Sequence, residues 1–339
     1  MRFVFLDILR IFASFSVLFG HNFSGFLQSY IETSSHFSYY DLFILNIVKL
    51  LRFITEKGGS GVIVFFLISG YIIRHSLEHS SASSFLIRRF FRIYPLYIFA
   101  CISEQLLNGI DVANLVSLNF SAKIFLIGDL FGIPYGLGNV EWTLRIEMYF
   151  YILMAFAKYT KVFYNPLFCL NFVTISLLFL INDPIPSFSE SFYGYISLYL
   201  PLLFIGCLFY TVEFSSNSRF LSLISIFIIY IIHVQNLINF EKSYVYFRFL
   251  HVGLVIWCAA WYVKDLFKVN MLVTFLSNLT FSIYLFHNWM PSKLNIIVYN
   301  INISFIIFFI FCAFVFYAIE YPFIFVGRFI SNLAADRPR

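Results

Sequence analysis

Arg10 and His21 stand eleven residues apart in one apolar stretch, Phe3-Val-Phe-Leu-Asp-Ile-Leu-Arg-Ile-Phe-Ala-Ser-Phe-Ser-Val-Leu-Phe-Gly-His21. Eleven residues are about three helical turns, so both side chains fall on one face, roughly 16 Å apart along the axis. Ionisable groups inside a membrane span are costly and mark function by default. Histidine is the natural proton acceptor near neutral pH, so His21 is a candidate general base. Asp7 and Arg10, spaced i, i+3, can pair on one face; the alternative is that Arg10 snorkels to lipid headgroups.

Four further groupings carry polar chemistry. Arg88-Arg-Phe-Phe-Arg-Ile-Tyr-Pro-Leu-Tyr97 sets Arg88, Arg89 and Arg92 just before a hydrophobic run, with Tyr94 and Tyr97 on either side of Pro95. Guanidinium forks suit phosphate oxygens, so the cluster reads equally as a phosphate site or a topology anchor. Gly61-Val-Ile-Val-Phe-Phe-Leu-Ile-Ser-Gly-Tyr71 places Ser69 and Tyr71 around Gly70, where another backbone can approach closely. Trp142-Thr-Leu-Arg-Ile-Glu147 opens an apolar helix with two ionisable groups. A carboxylate at Glu147 can fix the tautomer of His21, or simply pair with Arg145 or Arg248. Ser282-Ile-Tyr-Leu-Phe-His287 and Glu320-Tyr-Pro322 are weak signals alone.

The elements that position these residues are membrane helices. Of 339 residues, 61% are hydrophobic and 12% charged, against about a quarter charged in soluble domains. Mean hydropathy is +0.86. Apolar runs long enough to cross about 30 Å of hydrocarbon recur along the chain. The first carries Asp7 and Arg10 and has no small-residue cleavage site, so it reads as a retained span rather than a signal peptide.

The fold expected is all-α, a polytopic transmembrane bundle in one domain, 1–339, of about ten spans. They fall near 3–26, 59–77, 93–110, 142–157, 166–181, 193–212, 220–238, 244–263, 271–290 and 296–318. With both termini cytoplasmic, most loop Lys and Arg lie inside, Arg88, Arg89, Arg92, Lys158, Lys161, Lys264 and Lys268 among them. The net charge of +5 therefore reports orientation, not nucleic-acid binding. Residues 40–56 are amphipathic. Residues 121–137 are apolar enough for an eleventh, re-entrant or interfacial element, broken by Gly128, Gly132, Pro134 and Gly136; a true extra span there would invert everything after it. The end after residue 319 reads as a short basic tail. Cys101, Cys169, Cys207, Cys258 and Cys312 are scattered singly and form no metal or disulfide pattern.

In order, these residues resemble the acyltransferase family 3 membrane proteins, bacterial O-acyltransferases that modify surface polysaccharides. The resemblance rests on Leu6-Asp7-x-Leu9-Arg10 with His21, the Gly61–Tyr71 segment, Arg88-Arg89-x-x-Arg92-Ile-x-Pro95-x-Tyr97, Trp142-Thr-Leu-x-x-Glu147, Ile-Tyr-Leu-x-His287 and Glu320-x-Pro322. Two positions depart from the family pattern. Ile63 stands where an acidic residue is common, and Met148 replaces the second carboxylate of a frequent pair, which leaves Glu147 alone. No hydrolase-like C-terminal domain follows, as in the stand-alone form.

The resemblance implies acetyl transfer from cytoplasmic acetyl-CoA to a glycan hydroxyl, on O-antigen or another surface or lipid-linked saccharide, in the bacterial inner membrane. Arg88, Arg89, Arg92 and Arg10 would meet the CoA phosphates. Ser69, Tyr71 and Tyr97 would line the donor path. His21, oriented by Glu147, would be the base, and no metal is implied. The scattered cysteines favour direct transfer over an acyl-enzyme. Two competing readings are a transporter with charges along its path and a lipid-linked glycosyltransferase. The first lacks matched broken-helix halves, and the second lacks a paired-aspartate motif.

Overall fold

The computed structural model describes residues 3–33, 39–109, 117–133, 135–165, 167–181, 184–187, 193–240 and 244–335. Every regular element among them is helical. That is the expected answer to apolar runs in lipid, where each helix satisfies its own backbone amides and carbonyls. By length and apolarity six stretches among the described residues can cross a membrane: Val4–Asn22, Asp41–Glu78, Tyr195–Phe214, Arg219–Asn239, Tyr244–Tyr262 and Asn302–Ala334. Phe168–Ile181 and Met271–Phe286 are shorter apolar helices. Helices in the 93–110 and 142–157 regions are also present, but their charged residues dilute their apolarity.

Contacts divide the chain into two compact units, Met1–Phe65 with Ser243–Cys312, and Phe66–Lys242 with Ala313–Arg339. The first contains α1 (Val4–Asn22), α2 (Ser24–Thr33), α3 (Tyr39–Thr55) and the start of α4 (Gly59–Glu78). It also contains α11 (Tyr244–Tyr262), α12 (Met271–Phe286), α13 (Met290–Val298) and most of α14 (Ile301–Val315). The amphipathic stretch 40–56 is thus a helix, α3. A tight turn with Lys57 at φ 50° and Gly58 at φ 68° separates it from α4. Here α1 packs along α12, and Phe5 meets Trp257 of α11 edge to face at 6.2 Å.

The second unit holds the rest of α4, then α5 (Ala82–Leu107), α6 (Leu118–Ile124), α7 (Glu141–Tyr159) and α8 (Phe168–Ile181). It is completed by α9 (Tyr195–Phe214), α10 (Arg219–Asn239) and α15 (Tyr321–Ala335). The backbone approach expected at Gly70 is present. A Cβ there would collide with the Leu203 carbonyl of α9, and one on Gly206 of α9 would collide with the Leu67 carbonyl of α4. The two glycines let α4 and α9 cross at backbone contact.

Two expectations change, and the open question at 121–137 narrows. The helix expected from residue 93 begins at Ala82, where Ser81 caps it by accepting the Ser84 amide at 3.2 Å. Arg88, Arg89 and Arg92 therefore lie within α5 rather than before a span. The expected basic tail is instead α15, continuous with α14 through a wide turn at Phe316–Glu320. It lies along α5, with Ser84 Oγ donating to the Ser331 carbonyl at 3.1 Å and Phe91 stacked on Phe323. Gly327 and Ser331 are buried at this contact, with Phe91 close against Gly327, while Phe325, Phe329 and Leu333 stay exposed. Residues 121–137 do not make one crossing helix. They form the end of α6, a helical turn at Gly128–Phe131, and irregular backbone with left-handed residues at Leu126, Gly132 and Leu137; Pro134 lies outside the described residues.

Candidate functional site

In the first unit the two ionisable groups of α1 sit in different settings. Arg10 Nη1 donates to Asp7 Oδ1 at 3.2 Å, the i, i+3 pair that the spacing predicts. Asp7 Oδ1 also accepts from Ser277 Oγ of α12 at 2.8 Å. The carboxylate is buried and Arg10 is partly exposed, so the cation is held by a fixed anion.

His21, on the last turn of α1, is exposed. Its ring lies 5.3 Å from that of His287, at 43°. The next residue clamps the pair at backbone level, since Asn22 Nδ2 donates to the His287 carbonyl at 2.9 Å. His287, just past α12, is buried, and its Nδ1 donates to the Tyr284 carbonyl at 2.7 Å. Tyr284 is stacked flat on Phe65 at 5.6 Å. The sequence shows His287 only as the end of a weak motif; its nearness to His21 comes from the packing of α1 against α12.

In the second unit Glu147 is buried, and its Oε1 accepts from Ser69 Oγ at 3.0 Å and Tyr151 Oη at 2.5 Å. Neither arginine weighed as its partner is used. Arg145 binds Asp129 and Glu141, and Arg248, in the first unit, binds Glu56. Tyr151 is the link missed in the sequence, although it lies one turn beyond Glu147. The Arg89 guanidinium lies 5.4 Å over the Tyr151 ring and 5.3 Å over that of Phe85, favourable cation–π geometry. Ser69, Glu147, Tyr151 and Arg89 thus form one chain of contacts across α4, α7 and α5.

The remaining candidates are placed as follows. Arg88 and Arg92 are half-buried on α5. Arg88 interacts electrostatically with Arg89 and with Arg328 of α15, so a fourth arginine joins the cluster. Arg328 escapes sequence reading because residues beyond 319 look like a tail. Tyr71 is buried and donates to Glu213 Oε2 at 2.9 Å, and Tyr97 is buried and donates to the Lys123 carbonyl at 2.8 Å. Both hydroxyls are therefore committed to protein partners.

No solved structure matches the chain. Nodulation protein 10 of Rhizobium leguminosarum bv. viciae is 26% identical over 167 residues, 43% of this chain and 41% of that protein. The chain thus spans less than half the length of this curated relative. The family model described as an acyltransferase domain matches residues 3–326, which include Arg10, His21, the α5 arginines, Glu147 and His287. A match over nearly the whole length decides the assignment: the protein, with six stretches long and apolar enough to cross a membrane among its described residues, belongs to this acyltransferase family.

Proposed function

We propose that the protein transfers an acetyl group from acetyl-CoA to a sugar hydroxyl of a bacterial surface polysaccharide such as O-antigen. It does so in the inner membrane, through about ten spans with both termini cytoplasmic. The observation that carries this reading is His21, an exposed imidazole on an apolar helix of a membrane acyltransferase. His21 takes the acceptor hydroxyl proton as the oxygen attacks the thioester carbonyl. The C–O bond forms, the C–S bond breaks, and the proton passes from His21 to the departing thiolate.

The donor is held by Arg88, Arg89 and Arg92, with Arg328 beside them. Four arginines on two packed helices suit the phosphates of CoA. Arg10, steadied by Asp7, adds a cation towards the cytoplasmic end of α1. Ser69, Tyr71 and Tyr97 serve as walls, since their hydroxyls already bond to protein. Glu147 holds Ser69 and Tyr151 together and so acts on the arginine cluster; the orientation of His21 by Glu147 is not needed for the step.

The test incubates membranes with labelled acetyl-CoA and hydroxyl-bearing glycans. Label enters the glycan with the wild type and is lost with His21→Ala. Undiminished labelling by that variant would remove the base from the proposal, and no labelling by the wild type with any glycan would remove the acceptor class.

A further inference from the structure

The His287 imidazole has one atom with no assigned task. Its Nδ1 faces the Tyr284 carbonyl at 2.7 Å, and a carbonyl only accepts, so Nδ1 carries the proton. In the neutral ring the lone pair is then on Nε2. That atom is buried and has no hydrogen-bond partner among the described residues. An unpaired buried acceptor is costly and calls for a partner. The neighbouring imidazole is His21, with centroids 5.3 Å apart. Rings at that separation can bring facing nitrogens to about 3 Å, within hydrogen-bond range.

We propose that His287 is a positioning residue whose Nε2 accepts an N–H of His21 when His21 holds the acceptor proton. The inference rests on His21 being the base. Neutral His21 has one N–H, whereas imidazolium has two and no lone pair. The His21 nitrogen that takes the hydroxyl proton holds the lone pair beforehand, so the other nitrogen carries the N–H that Nε2 of His287 accepts, and protonation puts the positive charge on that donor. The hydrogen bond becomes charge-assisted at that moment and is stronger in the transition state than before it. His287 gains no net proton, and the proton still leaves on the thiolate. The fixed tautomer is essential, because a ring free to turn would offer an N–H to an N–H. The Tyr284 carbonyl fixes it, and the Asn22 clamp sets the spacing.

The experiment compares purified wild type, His21→Ala, His287→Phe and His287→Gln in acetyl transfer, with thermal melting recorded for each. His287→Phe keeps the ring shape without the acceptor; if it does not fold, His287→Leu replaces it. Gln places an amide oxygen near the Nε2 position. The expected result is a kcat about ten- to a hundredfold lower in His287→Phe, with KM for donor and acceptor unchanged. His287→Gln should recover most of that loss. If folded His287→Phe keeps full kcat while His21→Ala is inactive, this inference fails and the assignment of the base stands. Equal losses in the Phe and Gln variants also overturn it, since shape rather than the acceptor would then matter. An active His21→Ala instead overturns the assignment of the base.

Discussion

Arg145 and Glu141, one turn apart on α7, form a buried pair in which Glu141 Oε1 accepts from Arg145 Nε at 2.9 Å and Nη2 at 2.5 Å. Arg145 Nη1 reaches Asp129 Oδ1 at 2.7 Å, and Tyr195 donates to the other oxygen of Asp129. The network extends into the irregular segment before α7. Glu141 Oε2 accepts the Gly136 amide at 2.8 Å, while Glu104 of α5 accepts the amides of Leu137 and Gly138 at 2.9 and 3.1 Å. Buried backbone amides outside a regular helix must find partners elsewhere in the protein. Two carboxylates provide them, and Arg145 balances the charge of one.

Arg145→Met therefore leaves Glu141 and Asp129 buried without their cation, a change expected to destabilise by about 3–5 kcal/mol. Melting in detergent, followed by loss of monodisperse protein, measures it. Arg145→Lys should also melt early, because one ammonium cannot span two carboxylates as the planar fork does. A wild-type melting curve for Arg145→Met would mean that the network contributes nothing to stability.

The crossing of α4 and α9 gives a second expectation. Gly70→Ala must displace the Leu203 carbonyl and Gly206→Ala the Leu67 carbonyl, so each should cost about 1–3 kcal/mol through forced separation. Gly25→Ala is the control, since a Cβ there meets nothing within 4 Å. Equal melting of all three would show that the helices part at no cost.

Hydropathy locates most helices to within a few residues, because burial in lipid requires long apolar runs and little else can satisfy the backbone there. It fails at α15, where Arg328 and the small residues after it look like a tail, although the segment is a helix in contact with α5. Local spacing reveals Asp7–Arg10, because the partners are one turn apart. It cannot reveal Arg145–Asp129, whose acid lies in a segment without periodicity, or His21–His287, which are joined only by the packing of distant helices. Glu147 was legible as a buried carboxylate, but its partners depend on which faces of α4 and α7 meet.

Arg328 supplies a third expectation, which rests on the proposed donor site. Arg328→Ala should raise KM for acetyl-CoA several-fold and leave melting unchanged, since the side chain is exposed. Raising ionic strength should weaken donor binding in the wild type and shrink the difference between the two proteins, because exposed charges are screened. A donor KM equal to wild type at low salt would restrict the phosphate contacts to α5.

The contact chain from Ser69 to Arg89 supplies the last. Glu147 Oε1 accepts from Ser69 and Tyr151 at once, so each donor fixes the carboxylate for the other. Tyr151 in turn offers its ring face to Arg89. Tyr151→Phe keeps that face and removes only the hydroxyl. It should lower stability by about 1–3 kcal/mol and, because the hydroxyl also interacts with Arg89, raise donor KM modestly. Tyr151→Leu removes the ring as well, so donor KM should rise further there. The double variant Tyr151→Phe with Ser69→Ala leaves Glu147 without either donor, and its loss in melting should exceed the sum of the single losses. Strict additivity would show that the two hydroxyls act on Glu147 independently, and the path from α4 to the α5 arginines would end at the carboxylate.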